Sequence, residues 1–258
     1  MNASLSQDSN DKTKLLFPGE AQFVTGDYRN YLQIKRHNFI ITLNKYPEIS
    51  ELYFQADENW IQALRSLEPA RKEEWKVPKQ LTIFCFRELR LAAELLFSCC
   101  TNQGYNHLRT ALEAFTQAQK IIREPALDKV WLGRDENRAE YDKYFKHNVK
   151  DNLFPASSGF DQLHGVWKML CDAGAHSNVT SLGISSSIKA SDGDILWNLE
   201  FFEVDQGEVT KNLLLMIECQ LEMFKHTYNV FHERLSLQPH ILKNLYSHLA
   251  QFAKLKTQ

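Results

Sequence analysis

The stretch from Leu81 to Ile122, "LTIFCFRELRLAAELLFSCCTNQGYNHLRTALEAFTQAQKII", decides the fold of this chain. Apolar side chains recur at three- and four-residue intervals on both sides of the short polar segment TNQG. This spacing predicts two helices, from about Pro78 to Thr101 and from Tyr105 to Ile122, joined as an αα-hairpin. Gly104 is placed to help end the first of them.

Helical spacing continues on either side of this hairpin. Asp205 with Glu208 forms a capping pattern ahead of a long helix that runs to about Leu235, and prolines punctuate the chain at 47 and 239. Each proline is expected at the start of a helix. The further helices are predicted over residues 21–45, 47–67, 138–154, 160–173 and 205–235, and Pro239 opens a short last helix.

One segment differs in composition from the predicted helices. Residues 181–204, "SLGISSSIKASDGDILWNLEFFEV", contain β-branched and aromatic residues around Asp192-Gly193, which predicts a β-hairpin. The expected fold class is therefore mainly α, a helical bundle of about seven or eight helices with one inserted β-hairpin. Residues 1–20 are expected to be a disordered tail, and residues 21–256 a single helical domain with the insertion near 181–204.

Composition excludes several classes of protein. The 258 residues are 43% hydrophobic, so a large core is expected. The formal net charge is −2, so the chain as a whole has no positive electrostatic field that would attract nucleic acid or anionic lipid. The five cysteines form no CxxC motif, and the polar N-terminus does not resemble a secretory signal. The most apolar stretch holds four charges in its middle, at positions 87, 88, 90 and 94. A cytoplasmic protein without a membrane span is expected.

Motifs for phosphate, dinucleotide or metal chemistry are missing from the sequence. It holds no GxxxxGK[ST], GxGxxG, HExxH or GxSxG, and no glutamate is followed by histidine three residues later. No cofactor and no metal site are expected, and the sequence assigns no catalytic residue.

Four polar residues stand out against the apolar helices. Glu88 falls on the apolar face of its helix, and a buried carboxylate needs a partner because its desolvation is costly. Arg109 and Glu113 border the apolar stripe of the next helix, and an antiparallel hairpin would bring Arg109 toward Glu88. His176 follows a helix end. We predict a polar cluster of Glu88, Arg109, Glu113 and His176, with structural or binding importance; the plainer alternative is a surface ion pair and a helix-capping histidine.

Two segments carry a family resemblance. "LRTALEA", Leu108 to Ala114, and a helix ending in the spacing Trp167-x3-Cys171-x4-His176 resemble bacterial helical proteins related to the HEPN superfamily. In that group an Arg-x3-Glu helix and a later aromatic-to-histidine segment recur. The resemblance covers about residues 83–178 and implies an all-helical core, a bacterial source and an association with defence or stress systems.

Catalytic HEPN ribonucleases also use an Arg-x4-6-His motif, in which both residues act on the RNA backbone. The segment "RLSLQPH", Arg234 to His240, has this form, but leucine follows the arginine and proline precedes the histidine. Ribonuclease activity is therefore not transferred from the resemblance.

The leading hypothesis is a helical binding protein, whose partner is another protein or a second copy of the chain. The first alternative is a metal-independent ribonuclease, in which arginine and histidine contact and protonate phosphodiester oxygens. The second alternative is a sensor that holds a small ligand between its helices. Nucleic acid stays open as a partner, although the net charge does not indicate it.

Overall fold

The computed structural model describes residues 28–67, 75–146, 150–155, 159–174, 186–191, 194–199, 201–231 and 238–257. The predicted mainly α class is confirmed. The expected tail at residues 1–20 lies outside the described residues. The helices are α1 (Tyr28–Lys45), α2 (Pro47–Leu67), α3 (Lys76–Phe97), α4 (Thr101–Arg123), α5 (Leu127–Leu132), α6 (Arg138–Phe145), α7 (Lys150–Leu153), α8 (Asp161–Gly174), α9 (Gln206–Phe231) and α10 (Pro239–Leu255).

Helices α3 and α4 form the central hairpin, and the turn between them corrects the predicted boundaries. α3 ends at Phe97, four residues before the expected end, because Cys99 adopts a left-handed conformation with φ of 63°. The Cys99 amide donates to the Leu96 carbonyl, and the Cys100 amide donates to the Leu95 carbonyl. These two bonds make a Schellman motif, which usually places glycine where this chain has Cys99.

Gly104 does not end α3, as the sequence suggested, but lies in the first turn of α4. A Cβ atom at this position would lie 2.6 Å from Cγ and Cδ2 of Leu96. The missing side chain therefore lets the two helices approach closely at the start of the hairpin.

The core forms where α2, α3, α4 and α9 pack together. Trp60 of α2 is fully buried and stacks on Phe224 of α9, with ring centroids 5.2 Å apart. Tyr105 donates a hydrogen bond to the side chain of Asn212, which joins α4 to α9. In α2 and α9 the apolar positions at three- and four-residue spacing face the core. Leu64 and Leu214 are partly buried, and the fully buried positions are Ile49, Leu52, Tyr53, Ala56, Ala63, Leu213, Ile217, Leu221, Tyr228 and Phe231.

The remaining elements surround this core. α8 packs against α4, and α10 packs against α2 and α9. Two short strands, β1 (Ser186–Ser191) and β2 (Asp194–Leu199), pair antiparallel, with Ser186 opposite Leu199. The predicted start of the long helix is confirmed, because the Glu208 amide donates to Oδ1 of Asp205 at 3.0 Å. Across the described ranges, no helix combines the length and apolar character needed to cross a bilayer.

The cysteines give a direct test of this packing. Cys85, Cys99, Cys100 and Cys219 are buried, and burial raises the pKa of Cys99 to about 12 and that of Cys100 to about 11. Ellman's reagent reacts with thiolates that it can reach, so we expect Cys171, the one partly exposed thiol, to react faster than the four buried thiols in the native protein. All five thiols should react in denaturant. A second fast thiol at Cys99 or Cys100 would contradict the buried turn.

Candidate functional site

Glu88 is buried in α3, with only 6% of its side chain exposed, as its position on the apolar face predicted. The prediction that Arg109 is its partner was wrong. Oε2 lies 2.7 Å from Nδ1 of His107, and Oε1 accepts from Nε and Nη2 of Arg87 at 3.1 and 2.6 Å. His107 and Arg109 are two positions apart, which turns their side chains about 200° from each other around α4. The border of α4 that faces Glu88 is therefore the one that carries His107.

Arg109 and Glu113 do interact, but with a partner from α8. Nε of Arg109 lies 3.6 Å from Oε1 of Glu113, beyond hydrogen-bond range, and this buried nitrogen has no hydrogen-bond partner. The indole nitrogen of Trp167 donates to the same oxygen at 3.2 Å. The two segments that carry the HEPN resemblance thus meet in space, at one glutamate.

Cys171 lies one turn beyond Trp167 on α8, beside Arg109. Burial raises the pKa of its thiol, and the positive charge of Arg109 opposes that shift. A neutral thiol next to a guanidinium adds little charge to the group. The side chain of Cys171 therefore packs beside the Arg109–Glu113 pair.

The remaining predicted residues are His176, Arg234 and His240. His176 and Arg234 lie outside the described residues. His240 is exposed at the start of α10, where its Nε2 lies 2.9 Å from Oε1 of Gln62. The ribonuclease alternative stays a prediction.

A cleft of about 450 Å³ opens beside Glu113, between α3, α4 and the end of α5. Leu81, Phe84 and Ala114 supply its apolar surface, while Glu113 and Arg134 contribute opposite charges. We call it the Glu113 cleft, and its complete lining is Gln80, Leu81, Phe84, Thr110, Glu113, Ala114, Gln117, Trp131 and Arg134.

A chain of hydrogen bonds fixes one wall of the Glu113 cleft. The indole nitrogen of Trp131 donates to Oε1 of Gln117 at 2.8 Å, and Nε2 of Gln117 donates to the Tyr141 hydroxyl at 3.1 Å. Because its amide is engaged at both ends, Gln117 has one orientation and Trp131 is held against α4. Burial raises the pKa of Tyr141, so its hydroxyl stays protonated at neutral pH.

Arg134, in the lining of the cleft, and Arg87, which contacts the lining residue Phe84, are placed differently. Arg134 lies over the ring of Tyr141, 5.1 Å from its centroid, and forms no ion pair with a described residue. Arg87 lies over the Phe84 ring at 4.4 Å while it also binds Glu88. Among the described residues, the group of Glu88, Arg87 and His107 meets the cleft lining where Arg87 stacks on Phe84. Glu88 and Arg109 therefore belong to separate groups.

Sequence reasoning missed Gln117, Trp131 and Arg134 as lining residues. Gln117 lies four positions after Glu113, so both share one face of α4, which was the available signal. The tight turn at 124–127 brings Trp131 and Arg134 to the cleft. Because these two residues follow the turn, no helical spacing from Glu113 pointed to them.

In the described parts of the chain, no three histidine, cysteine, aspartate or glutamate side chains form a group that could hold a metal ion. Comparison of the chain with family models, with curated proteins and with solved structures found no match.

Proposed function

We propose that this chain is a helical binding protein, and that the Glu113 cleft takes a small zwitterion with an apolar body, such as an apolar amino acid. The observation that carries the proposal is a carboxylate and a guanidinium in the lining of one apolar cleft, the guanidinium having no ion-pair partner among the described residues. This combines the expected binding role with the small-ligand alternative. A link to defence or stress systems rests on the HEPN resemblance alone.

Glu113 has capacity for a ligand ammonium group. Both of its contacts, with Arg109 and Trp167, involve Oε1, and Oε2 has no hydrogen-bond partner among the described residues. A carboxylate oxygen can accept two hydrogen bonds, so an ammonium group at Oε2 would not displace the existing contacts.

Arg134 supplies the complementary charge. Its side chain stacks on Tyr141 but meets no carboxylate within the described residues, which leaves the planar guanidinium donors for a ligand carboxylate. Phe84, Leu81 and Trp131 then bury the apolar body, as the lining of small-molecule sites commonly does. The volume of about 450 Å³ suits a ligand of this size.

Isothermal titration calorimetry with L-phenylalanine, L-leucine and L-serine tests the proposal. We expect L-phenylalanine and L-leucine to bind more tightly than L-serine, and Glu113→Gln to weaken binding about tenfold, because a hydrogen bond to a charged group is lost. Glu124→Gln is the matched control, since it makes the same change just past the C-terminal end of the same helix, outside the cleft. No heat from any of the three ligands at millimolar concentration, or an equal loss in the control, would overturn the proposal.

A further inference from the structure

The exposed face of α1 carries positive charge. The helix holds two arginines and two lysines, and neither aspartate nor glutamate occurs in it. Arg29 and Arg36 are exposed and form no ion pair with a described residue. Apolar side chains lie beside them, since Leu32 is 45% and Ile40 48% exposed. This face therefore combines cations with apolar surface, and we call Arg29, Leu32 and Arg36 the basic stripe.

The exposed face of α2 carries the opposite charge. Glu51 and Glu58 are exposed, and each accepts a hydrogen bond from the glutamine one turn later, at 2.7 Å from Gln55 and 3.2 Å from Gln62. Each carboxylate can accept further hydrogen bonds, and neither is paired with a cation within the described ranges. Phe54 lies between them and is 47% exposed. We call Glu51, Phe54 and Glu58 the acidic stripe.

The two stripes have the same spacing. In each, a charged residue is followed three positions later by an apolar residue and seven positions later by a second charge of the same sign. Helical geometry keeps such a set within about 60° of the helix surface and places the two charges about 10 Å apart along the axis. When the apolar residues of the two stripes are aligned, each arginine falls within about 2 Å of a glutamate along the axis, whether the helices run parallel or antiparallel. The stripes are therefore complementary in charge and in position.

Charge decides which helices of two copies can pair. If α1 met α1 of a second copy, arginines would face arginines, and if α2 met α2, glutamates would face glutamates; both arrangements are repulsive. Only α1 against α2 joins opposite charges. Tyr46 alone connects these two helices, which pack on each other, so the stripes lie on neighbouring elements of one chain. A two-fold dimer uses the same surface on both copies, so the contact of α1 with α2 would occur twice.

We propose that a second copy of this chain docks on this surface and forms a two-fold dimer, in which the basic stripe of each copy lies against the acidic stripe of the other. Leu32 packs on the partner's Phe54 at the centre of each contact, and an arginine–glutamate pair lies on either side. The apolar pair loses water on association, while the ion pairs fix the register. Neither stripe shares a residue with the Glu113 cleft, so failure of the dimer would leave the amino-acid proposal untouched.

Sedimentation velocity of the full chain at rising concentration tests the proposal. We expect a species near twice the chain mass of 30.0 kDa, and weaker dimerisation at high salt, because salt screens exposed charges. Arg36→Gln should raise the dimer dissociation constant about fourfold to 25-fold, since each exposed pair accounts for about twofold to fivefold and the symmetric dimer loses two pairs. The matched control is Lys129→Gln, which removes an equal charge from an exposed position of α5, outside both stripes.

Exchange of charge between the stripes shows whether they pair with each other. Arg29→Glu with Arg36→Glu makes both stripes of one copy acidic. Glu51→Arg with Glu58→Arg makes both stripes basic. Each double variant alone should be monomeric, because every contact is repulsive, whereas an equal mixture of the two should dimerise; circular dichroism checks that both are folded. A native chain that stays monomeric at high micromolar concentration, a dimer that persists in either double variant, or a mixture that stays monomeric would each overturn the proposal.

Discussion

Replacing Gly104 by alanine is expected to destabilise the folded chain by about 2 kcal/mol, although alanine is the better helix former. The new methyl group would lie 2.6 Å from Cγ and Cδ2 of Leu96, well inside van der Waals contact. Leu96 is 2% exposed, so its side chain can move away from the new methyl group only by displacing the atoms packed around it. Urea unfolding followed by circular dichroism measures the loss.

Gly165→Ala is the matched control for this change. Gly165 is exposed inside α8, and a Cβ atom there would meet no atom within 4 Å. The same substitution should stabilise the chain by up to about 1 kcal/mol, because it raises helix propensity without a clash. If both variants gained stability, the close approach of α3 and α4 at Gly104 would be wrong.

The turn at Cys99 shows why the helices of the hairpin could be predicted but their ends could not. Apolar spacing identified both helices and their buried faces, since that spacing reflects burial directly. The usual signal for a left-handed residue after a helix is glycine, and here Cys99 takes that conformation with its side chain buried. Gly104, the glycine in this region, is instead required by contact with Leu96.

The partner of Glu88 marks a second limit of the sequence. His107 and Arg109 flank Leu108, the buried centre of the apolar stripe of α4, so both lie at its borders. Periodicity identifies the stripe but not which border faces α3, because that depends on how the two helices rotate against each other. The buried position of Glu88 was therefore predictable, while the choice of His107 over Arg109 was not.

His107→Ala is expected to cost about 1–3 kcal/mol of folding free energy, more than replacement of the carboxylate it contacts. Without His107, Oε2 of Glu88 stays buried and loses its partner, while Arg87 continues to occupy Oε1. Glu88→Met removes the buried charge and keeps much of the side-chain volume, so we expect a change near zero or a gain in stability. Thermal and urea unfolding of both variants measure the difference.

The double variant decides whether this asymmetry comes from the contact itself. Once Glu88 is methionine, the loss of the imidazole leaves no acceptor orphaned, so His107→Ala should then cost much less than in the native chain. The difference between the two costs is the coupling free energy of the pair. Lys76→Ala, an exposed change at the start of α3 away from the contact, should give the same cost in both backgrounds. Equal costs of His107→Ala with and without Glu88 would mean that the imidazole contributes only packing, and the buried carboxylate would then depend on Arg87.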